Sequence, residues 1–314
     1  MKRPLIILTG PTAVGKTKMS IDLAEAVNGE IISADSMQVY RGMDIGSAKI
    51  RPEEMCGIPH HLVDVLNPDE EFHVVRFQEM AKQAMEEIYA RGRIPILVGG
   101  TGFYIQAVLY DIDFTENDGD GALRKELEHF AEEYGAKALH ARLEEVDSKA
   151  AAEIHAHNVK RVIRALEYFL QTGKPISEHN EEQRQKEAPY RSAYFVLNDE
   201  RAHLYERINL RVDQMIEQGL VEEVKGLRGK GCTRNMVSMQ GLGYKEILAY
   251  LDGEYTLDTA VEIIKRDTRH FAKRQITWFK REKDVIWLDK KAFDYDEDRL
   301  LGRILELLKQ RGIL

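Results

Sequence analysis

Eight consecutive residues, Gly10, Pro11, Thr12, Ala13, Val14, Gly15, Lys16 and Thr17, leave this chain few ways to fold. They follow the apolar residues 4–9 and precede a helical run over 18–27, so the G-x-x-x-x-G-K-[ST] spacing stands in strand–loop–helix order. Glycines at 10 and 15 let the backbone curl until successive N–H groups face one anion. A helix opening near Lys16 adds its positive dipole end and its unpaired N–H groups. Lys16 supplies a point charge for phosphate oxygens, and the Thr17 hydroxyl suits a magnesium ion. The expected ligand is a diphosphate or triphosphate. The competing reading, a Gly-rich turn that only closes a β–α unit, is disfavoured by the flanking context.

The rest of the chain reads as a sheet built on that unit. Residues 5–9 are continuously apolar rather than alternating, the pattern of a strand buried on both faces. Residues 30–36 form a second strand with Asp35 and Ser36 at its end. In a parallel sheet that end shares an edge with the loop after the first strand, so Asp35 is expected to face the same crevice as Lys16. Met37, Gln38, Tyr40 and Arg41 follow in a loop or short helix. Its Gln, Tyr and Arg suit base-edge and stacking contacts, although such residues are common on any surface. Residues 58–65 read as a third strand, where adjacent His60 and His61 point to opposite faces, which argues against a shared metal. Residues 72–91 show a helical period, and residues 94–98 run into Gly99, Gly100, Thr101 and Gly102. Three glycines around one threonine at this edge imply close approach of backbone to ligand, the alternative being a tight left-handed turn.

From residue 114 the character changes. Residues 115–121 are a polar, glycine-rich linker, and residues 122–135, 136–145 and 149–172 read as helices before the apolar strand at 193–197. The economical arrangement is α/β: a P-loop NTPase-like parallel sheet flanked by helices, with a helical insertion domain. Residues 1–113 and 190–314 make the core, and residues 114–189 the insertion. Within the insertion Lys160 and Arg164 share a helix face next to Arg161. That face is solvated unless single-stranded nucleic acid lies against it. Arg207 and Arg211 are four apart in a helix over 201–225 and can reach one anion. Residues 238–246 join flexible backbone to Gln, Tyr and Lys. Residues 267–281 read as a helix mixing bases and aromatics, with Arg266, Arg269, Lys273 and Lys280 close to one stripe. Residues 285–289 close the sheet, and residues 300–308 form a terminal amphipathic helix.

The formal net charge of −8 argues superficially against a nucleic-acid partner, but the charge is segregated. Residues 265–283 carry eight Lys/Arg against two acids, while acid dominates residues 118–147. A basic patch on an acidic body is compatible with phosphate-backbone binding. Cys56 and Cys232 lie far apart and outside any metal-type cluster, as two reduced thiols of a cytoplasmic protein would. No apolar run approaches the ~20 residues a bilayer-spanning helix needs. The start leads directly into the first strand, leaving no room for a signal peptide. The expectation is a cytoplasmic protein with no membrane partner, and nothing demands more than a monomer.

P-loops mostly serve nucleotide binding, usually of ATP or GTP, for hydrolysis or phosphoryl transfer. Here no Asn-Lys-x-Asp guanine-reading motif occurs, and the strand where a magnesium-binding acid would stand ends in Gly99, Gly100 and Thr101. The insertion could still act as an arginine-bearing lid. On residue chemistry alone a small-molecule or nucleotide kinase stays open, as does a non-catalytic RNA-binding protein.

A wider set of residues resembles one family in order along the chain. The set comprises residues 10–17, Ser33, Ala34, Asp35, Ser36, Gln38 and Tyr40, residues 59–64, and Gly99, Gly100, Thr101, Gly102 and Tyr104. It continues through Lys160, Arg161, Arg164 and Glu167, then Gly241, Gly243 and Tyr244, and residues 268–279. Together they look like the tRNA dimethylallyltransferase, or tRNA isopentenyltransferase, family, end to end. Lys160 departs from the Gln that the family often has there, which alters an RNA contact. The resemblance implies a loop that holds the diphosphate of dimethylallyl diphosphate, with Mg2+ as cofactor. It implies transfer of the prenyl group to N6 of an adenine beside the anticodon of tRNA. Asp35 then suits a general base, Thr101 a donor to the bridging oxygen of the leaving group, and Lys16 and Arg211 its phosphates, with Arg207 a further candidate. Expected tRNA contacts are Asp35, Ser36, Met37, Gln38, Thr101, Arg124, Lys160, Arg161, Arg164, Gln240, Gly241, Leu242, Gly243, Tyr244, Lys245, Lys273, Arg274, Gln275, Trp278 and Lys280. Tyr40 is expected to help frame the flipped base.

Overall fold

A computed structural model describes residues 2–114 and 121–314; of the expected linker at 115–121, all but Gly121 lies outside the described residues. Six strands make one parallel sheet: β1 (Pro4–Thr9), β2 (Gly29–Ser33), β3 (His60–His61), β4 (Ile94–Gly99), β5 (Arg191–Asn198) and β6 (Val285–Asp289). Their spatial order is β3-β2-β4-β1-β5-β6. Leu5, Ile6, Ile7 and Leu8 of β1 are fully buried, as a central strand covered on both faces requires. β1 pairs Thr9 with Gly99 on one side and with Val196 on the other, and β2 pairs Ser33 with Val98. The C-terminal ends of β2, β4 and β1 therefore finish at one level, and the loops that follow them open on one edge.

Helices supply both outer layers and the second unit. They are α1 (Lys16–Val27), α2 (Val74–Ala90), α3 (Gly102–Leu109), α4 (Ala122–Tyr134), α5 (Ala136–Val146), α6 (Ser148–Glu153) and α7 (Val159–Thr172). After them come α8 (Ile176–Gln185), α9 (Arg201–Glu217), α10 (Leu220–Gly229), α11 (Tyr244–Leu251), α12 (Leu257–Phe279) and α13 (Glu297–Gln310). α1, α9 and α13 bury Met19, Leu23, Leu204, Ile208, Leu300 and Ile304 with Ile6, Leu8 and Phe195 of the sheet. Phe77 of α2 stacks on Tyr104 of α3 at 4.5 Å, with Phe72 edge-on to both.

By its contacts the chain divides into two compact units, Met1–Leu109 with Ala188–Leu314, and Tyr110–Glu187. The second unit is helical and has its own core, including Leu127, Leu139, Leu143, Val162, Ile163 and Leu166. The Asp147 carboxylate caps α6 through Ala150 N–H at 2.9 Å and holds Ser177 of α8 through both its N–H and its hydroxyl.

Several expected elements differ in extent. The helix expected over 149–172 is interrupted after α6 and resumes at Val159. The helix expected over 201–225 breaks at Gly219, whose φ of +99° ends α9 and starts α10. The basic helix runs back to Leu257, where the Thr256 hydroxyl accepts from Thr259 N–H. The third strand keeps only two residues, because Leu62 and Asp64 adopt positive φ.

At the other end of β2, Glu30 is buried and accepts from Arg91 at 2.9 and 2.8 Å, from Arg93 at 3.2 Å and from His61 at 2.7 Å. His60 instead pairs with the Ile58 carbonyl, so the two rings have separate partners. Burial alone would raise the Glu30 carboxyl, but the hydrogen bonds from Arg91 and His61 outweigh it and hold it at about 2. Because the folded value lies below the ordinary 4.5, this stabilisation is complete above pH 4.5 and is lost as pH falls toward 2. Glu30→Gln should cost about 2 kcal/mol at pH 7 in urea denaturation, the figure being discounted for the exposure of Arg91 and Arg93. The gap between parent and variant should close as pH falls below the ordinary carboxylate value. An equal gap at acid and neutral pH would contradict this account.

Candidate active site

The site starts where backbone meets backbone. A Cβ at Gly99 would stand 2.2 Å from the Ala34 carbonyl oxygen, so the ends of β4 and β2 touch with no room for a side chain. Thr101 N–H donates to that same carbonyl at 3.3 Å, and the Thr9 hydroxyl donates to the Gly99 carbonyl at 2.6 Å. Asp35 and Thr101 thus leave adjoining backbones, one strand away from the loop that carries Lys16. The expectation that these glycines admit a ligand is corrected. A Cβ at Gly100 would meet Gln275 Nε2 at 2.1 Å, and one at Gly102 would meet the Trp278 ring at 2.2 Å. None of the three has positive φ, so the left-handed turn is not their reason either. They make room for protein.

The loop over residues 10–15 turns through left-handed backbone at Ala13 (φ +65°) and Gly15 (φ +103°), and Gly15 is the N-cap of α1. Lys16 Nζ donates to the carbonyls of Gly10 and Pro11, each at 2.9 Å. Three successive residues are gripped from outside. Thr12 N–H donates to Gln275 Oε1 of α12 at 2.9 Å, and the Ala13 carbonyl accepts from Arg207 Nε of α9 at 2.8 Å. The Val14 carbonyl faces Lys290 Nζ at 3.5 Å, and that buried lysine also pairs with Glu297 at 2.6 Å. Thr12 was expected to serve the phosphates, but its N–H is taken by Gln275. Thr17 is exposed in the first turn of α1.

Burial sets the electrostatics. It lowers Lys16 to about 8, with Asp35 opposing and Arg211 adding to the shift. It raises the Asp35 carboxyl against the Met37 N–H, the Lys16 charge and the Gln38 N–H. Asp35 Oδ1 accepts from Met37 N–H at 2.8 Å and from Gln38 N–H at 3.4 Å, which fixes the orientation of the carboxylate. Arg211 is depressed by burial and by Arg207, so three cations and one acid share the crevice.

Of the residues expected to meet RNA, some come together and some do not. A Cβ at Gly241 would stand 2.5 Å from Met37 Cε, so the loop over 36–38 and the loop over 238–243 are in contact. Gln240 donates to the Arg234 carbonyl and stays exposed, Leu242 is partly exposed, Gly243 is buried against the expectation, and Lys245 faces Glu246 at 3.5 Å. Tyr244 is corrected: it is fully buried and its hydroxyl donates to Glu223 at 2.7 Å. Tyr40 is equally buried, edge-on to Phe72, and offers no stacking face for a base. Gln275 is buried with both amide atoms used. In the second unit Arg124 forms a two-pronged pair with buried Glu167 at 3.0 and 2.6 Å. Arg164 there is half-buried, while Lys160 and Arg161 are exposed.

Along α12 and just past it, His270, Lys273, Arg274, Thr277, Trp278 and Arg281 line a groove of about 460 Å³. Lys280 lies outside that lining, and Arg266 and Arg269 are held by Asp267 at 2.8 Å and Asn209 at 2.6 Å. Two residues went unread in the sequence. Glu223 accepts the N–H groups of Asp44, Ile45 and Gly46 at 2.9, 2.8 and 3.1 Å, fixing the loop that follows Asp35. Lys290 follows β6 directly at the C-terminal sheet edge, and that position was its available signal.

Comparison with known proteins adds ancestry to this geometry. A family model described as IPP transferase matches residues 38–282, and one described as isopentenyl transferase matches residues 3–65. The chain is 63% identical over 312 residues to a tRNA dimethylallyltransferase of Lachnoclostridium phytofermentans, with 99% of each chain covered. It is 52% identical over 293 residues to one of Acetivibrio thermocellus, covering 93% of this chain and 94% of the other. Among solved structures, the full-length tRNA isopentenylpyrophosphate transferase from Bacillus halodurans aligns with a TM-score of 0.74 at 46% identity, covering 99% of this chain and 98% of that one. A eukaryotic dimethylallyltransferase acting on tRNA aligns at 0.80 with 32% identity, covering 91% of this chain and 74% of that one.

The depressed Lys16 has a measurable consequence. A phosphate anion in the loop favours the charged lysine, so above pH 8 binding must take up a proton. Calorimetry with inorganic diphosphate in buffers of different ionisation enthalpy should show extra uptake above pH 8 that fades below pH 7. Lys16→Arg, always charged, should lack that uptake. The same uptake in parent and variant would contradict the assignment.

Proposed function

The chain belongs to the tRNA dimethylallyltransferase family, and on that premise we propose how it moves a dimethylallyl group from dimethylallyl diphosphate to N6 of an adenine beside the anticodon of tRNA. The observation that carries the reading is the contact between the Ala34 and Gly99 backbones, which sets Asp35 and Thr101 side by side next to the loop of Lys16. A bond forms between N6 and the first prenyl carbon while the bond from that carbon to the diphosphate oxygen breaks. The adenine amino group is a weak nucleophile, because its lone pair is delocalised into the ring. Asp35, with one oxygen anchored by Met37 N–H, accepts the N6 proton through the other. Thr101 donates to the bridging oxygen of the leaving group. Lys16, Arg211 and the loop N–H groups of Ala13, Gly15 and Lys16 stabilise the charge that develops on the diphosphate.

Magnesium fits this site as a companion of the diphosphate. Among the described residues no group of three or more His, Cys, Asp or Glu could cage a metal ion. A hard cation that keeps much of its water suits one hydroxyl and phosphate oxygens, and Thr17 would supply the hydroxyl. When bound, the ion neutralises leaving-group charge.

The RNA reading rests on exposed charge. Lys273, Arg274 and Trp278 in the α12 groove suit phosphates and a stacked base, and Lys160 and Arg161 offer a second cationic face. Asp35, Ser36, Met37, Gln38 and Thr101, with Gln240, Gly241, Leu242 and Lys245, would frame a flipped adenine. Among the described residues no helix is long and apolar enough to cross a membrane. A cytoplasmic location and a monomeric state belong to the same proposal. The kinase and non-catalytic readings have no observation in their favour.

Purified protein with tRNA, magnesium and dimethylallyl diphosphate labelled in its prenyl group should place label in RNA. Asp35→Ala should slow that transfer about 10²–10⁴-fold and Thr101→Ala about 10–10²-fold. Undiminished labelling by both variants would remove these two roles. Affinity for an anticodon stem-loop should fall about tenfold for a few-fold rise in salt, and a flat dependence would contradict a phosphate-tracking surface.

A further inference from the structure

Gln275 is a buried amide whose two ends reach the two loops of the site. Its Oε1 accepts from Thr12 N–H at 2.9 Å, and its Nε2 donates to the Gly100 carbonyl at 3.0 Å. The orientation is not arbitrary. A backbone N–H only donates and a carbonyl only accepts, so a flipped amide would set donor against donor and acceptor against acceptor. The approach is also close, since a Cβ at Gly100 would stand 2.1 Å from Nε2. One side chain therefore spans from the start of the phosphate cradle to the peptide just before Thr101.

We propose that Gln275 is a positioning residue for prenyl transfer, setting the Thr101 hydroxyl at a fixed spacing from the phosphate loop. The inference rests on the reading of Thr101 as the leaving-group donor. Lys16 and Thr101 must address one diphosphate from two separate loops. The strand pairing fixes where those loops begin, and the amide fixes where they face each other. A misplacement of about 1 Å at a reacting centre costs on the order of 10²-fold in rate, so a strap of two hydrogen bonds has that much to protect. Gln275 is buried, and its role acts through Thr12 and Gly100 rather than through RNA.

The test uses single-turnover prenyl transfer to an anticodon stem-loop by the full chain. Gln275→Met keeps the length and removes both hydrogen bonds. It should slow transfer about 30-fold or more while RNA affinity stays within about twofold. Combined with Thr101→Ala, the loss should fall at least about tenfold short of the product of the two single losses, because both changes act on the same hydroxyl. Gln275→Glu adds a readout that a purely structural role would not move. As a neutral acid it can still accept from Thr12 and donate to Gly100, and on ionisation it loses the donor. Its rate divided by the parent's at the same pH should therefore fall with rising pH, and this profile decides the matter even if Gln275→Met does not fold. Multiplicative losses in the double variant, a parent-like rate for Gln275→Met, RNA affinity falling in step with rate, or a flat profile for Gln275→Glu would each overturn the inference. A slow Thr101→Ala beside a parent-like Gln275→Met sinks the inference alone. A parent-like Thr101→Ala sinks the reading of Thr101 and the inference with it.

Discussion

No side chain separates the ends of β2 and β4, and the rest of the site depends on that contact. The Ala34 carbonyl fills the space a Cβ at Gly99 would need, and Thr9 holds the Gly99 carbonyl from the other side. Three strand ends are thereby drawn to one level, each followed by one residue of the proposed site: Asp35 after β2, Thr101 after β4 and Lys16 after β1. Burial then acts on them in opposite directions, raising the acid and lowering the lysine. The two shifts share one cause, a crevice that disfavours charge in either sign. In the proposed reaction the diphosphate leaving group would restore the balance by pairing with the lysine.

The phosphate loop is shaped as much by its surroundings as by its own glycines. Gln275, Arg207 and Lys290 come from three different elements and hold Thr12, Ala13 and Val14 in turn. Two of these grips are cations on carbonyls, Arg207 on Ala13 and Lys290 on Val14. In the proposed reaction, charge that develops on the departing diphosphate would meet dipoles already fixed in place, with little reorganisation left for the reaction itself. Lys16 also holds this backbone, through the carbonyls of Gly10 and Pro11, and in the proposed reaction it would exchange them for phosphate oxygens.

The central strands and the first β–α unit were legible because continuous apolar runs and the loop spacing are local signals. Asp35, Lys16 and Thr101 converge as parallel topology requires. What escaped reading is pairing between distant positions. Tyr244, Gln275 and Arg124 have the side chains of a nucleic-acid surface, yet each finds a partner far along the chain, Glu223, Thr12 with Gly100, and Glu167. The glycines of residues 99–102 announced a lack of room but not for what, and the occupants are Ala34, Gln275 and Trp278. Of the basic stripe expected along α12, Lys273 lines the groove with the equally expected Arg274 and Trp278, while Arg266 and Arg269 are held by side-chain partners and Lys280 lies outside it.

The central claim is that a cradle for linked phosphates here serves a leaving group rather than a nucleotide. A competition titration tests it most directly, using an unreactive thiolo analogue of dimethylallyl diphosphate against ATP, both with magnesium. The account predicts that the prenyl analogue binds at least about a hundredfold more tightly and that millimolar ATP fails to displace it. Tight uptake of ATP, with the prenyl compound displaced or ignored, would contradict it.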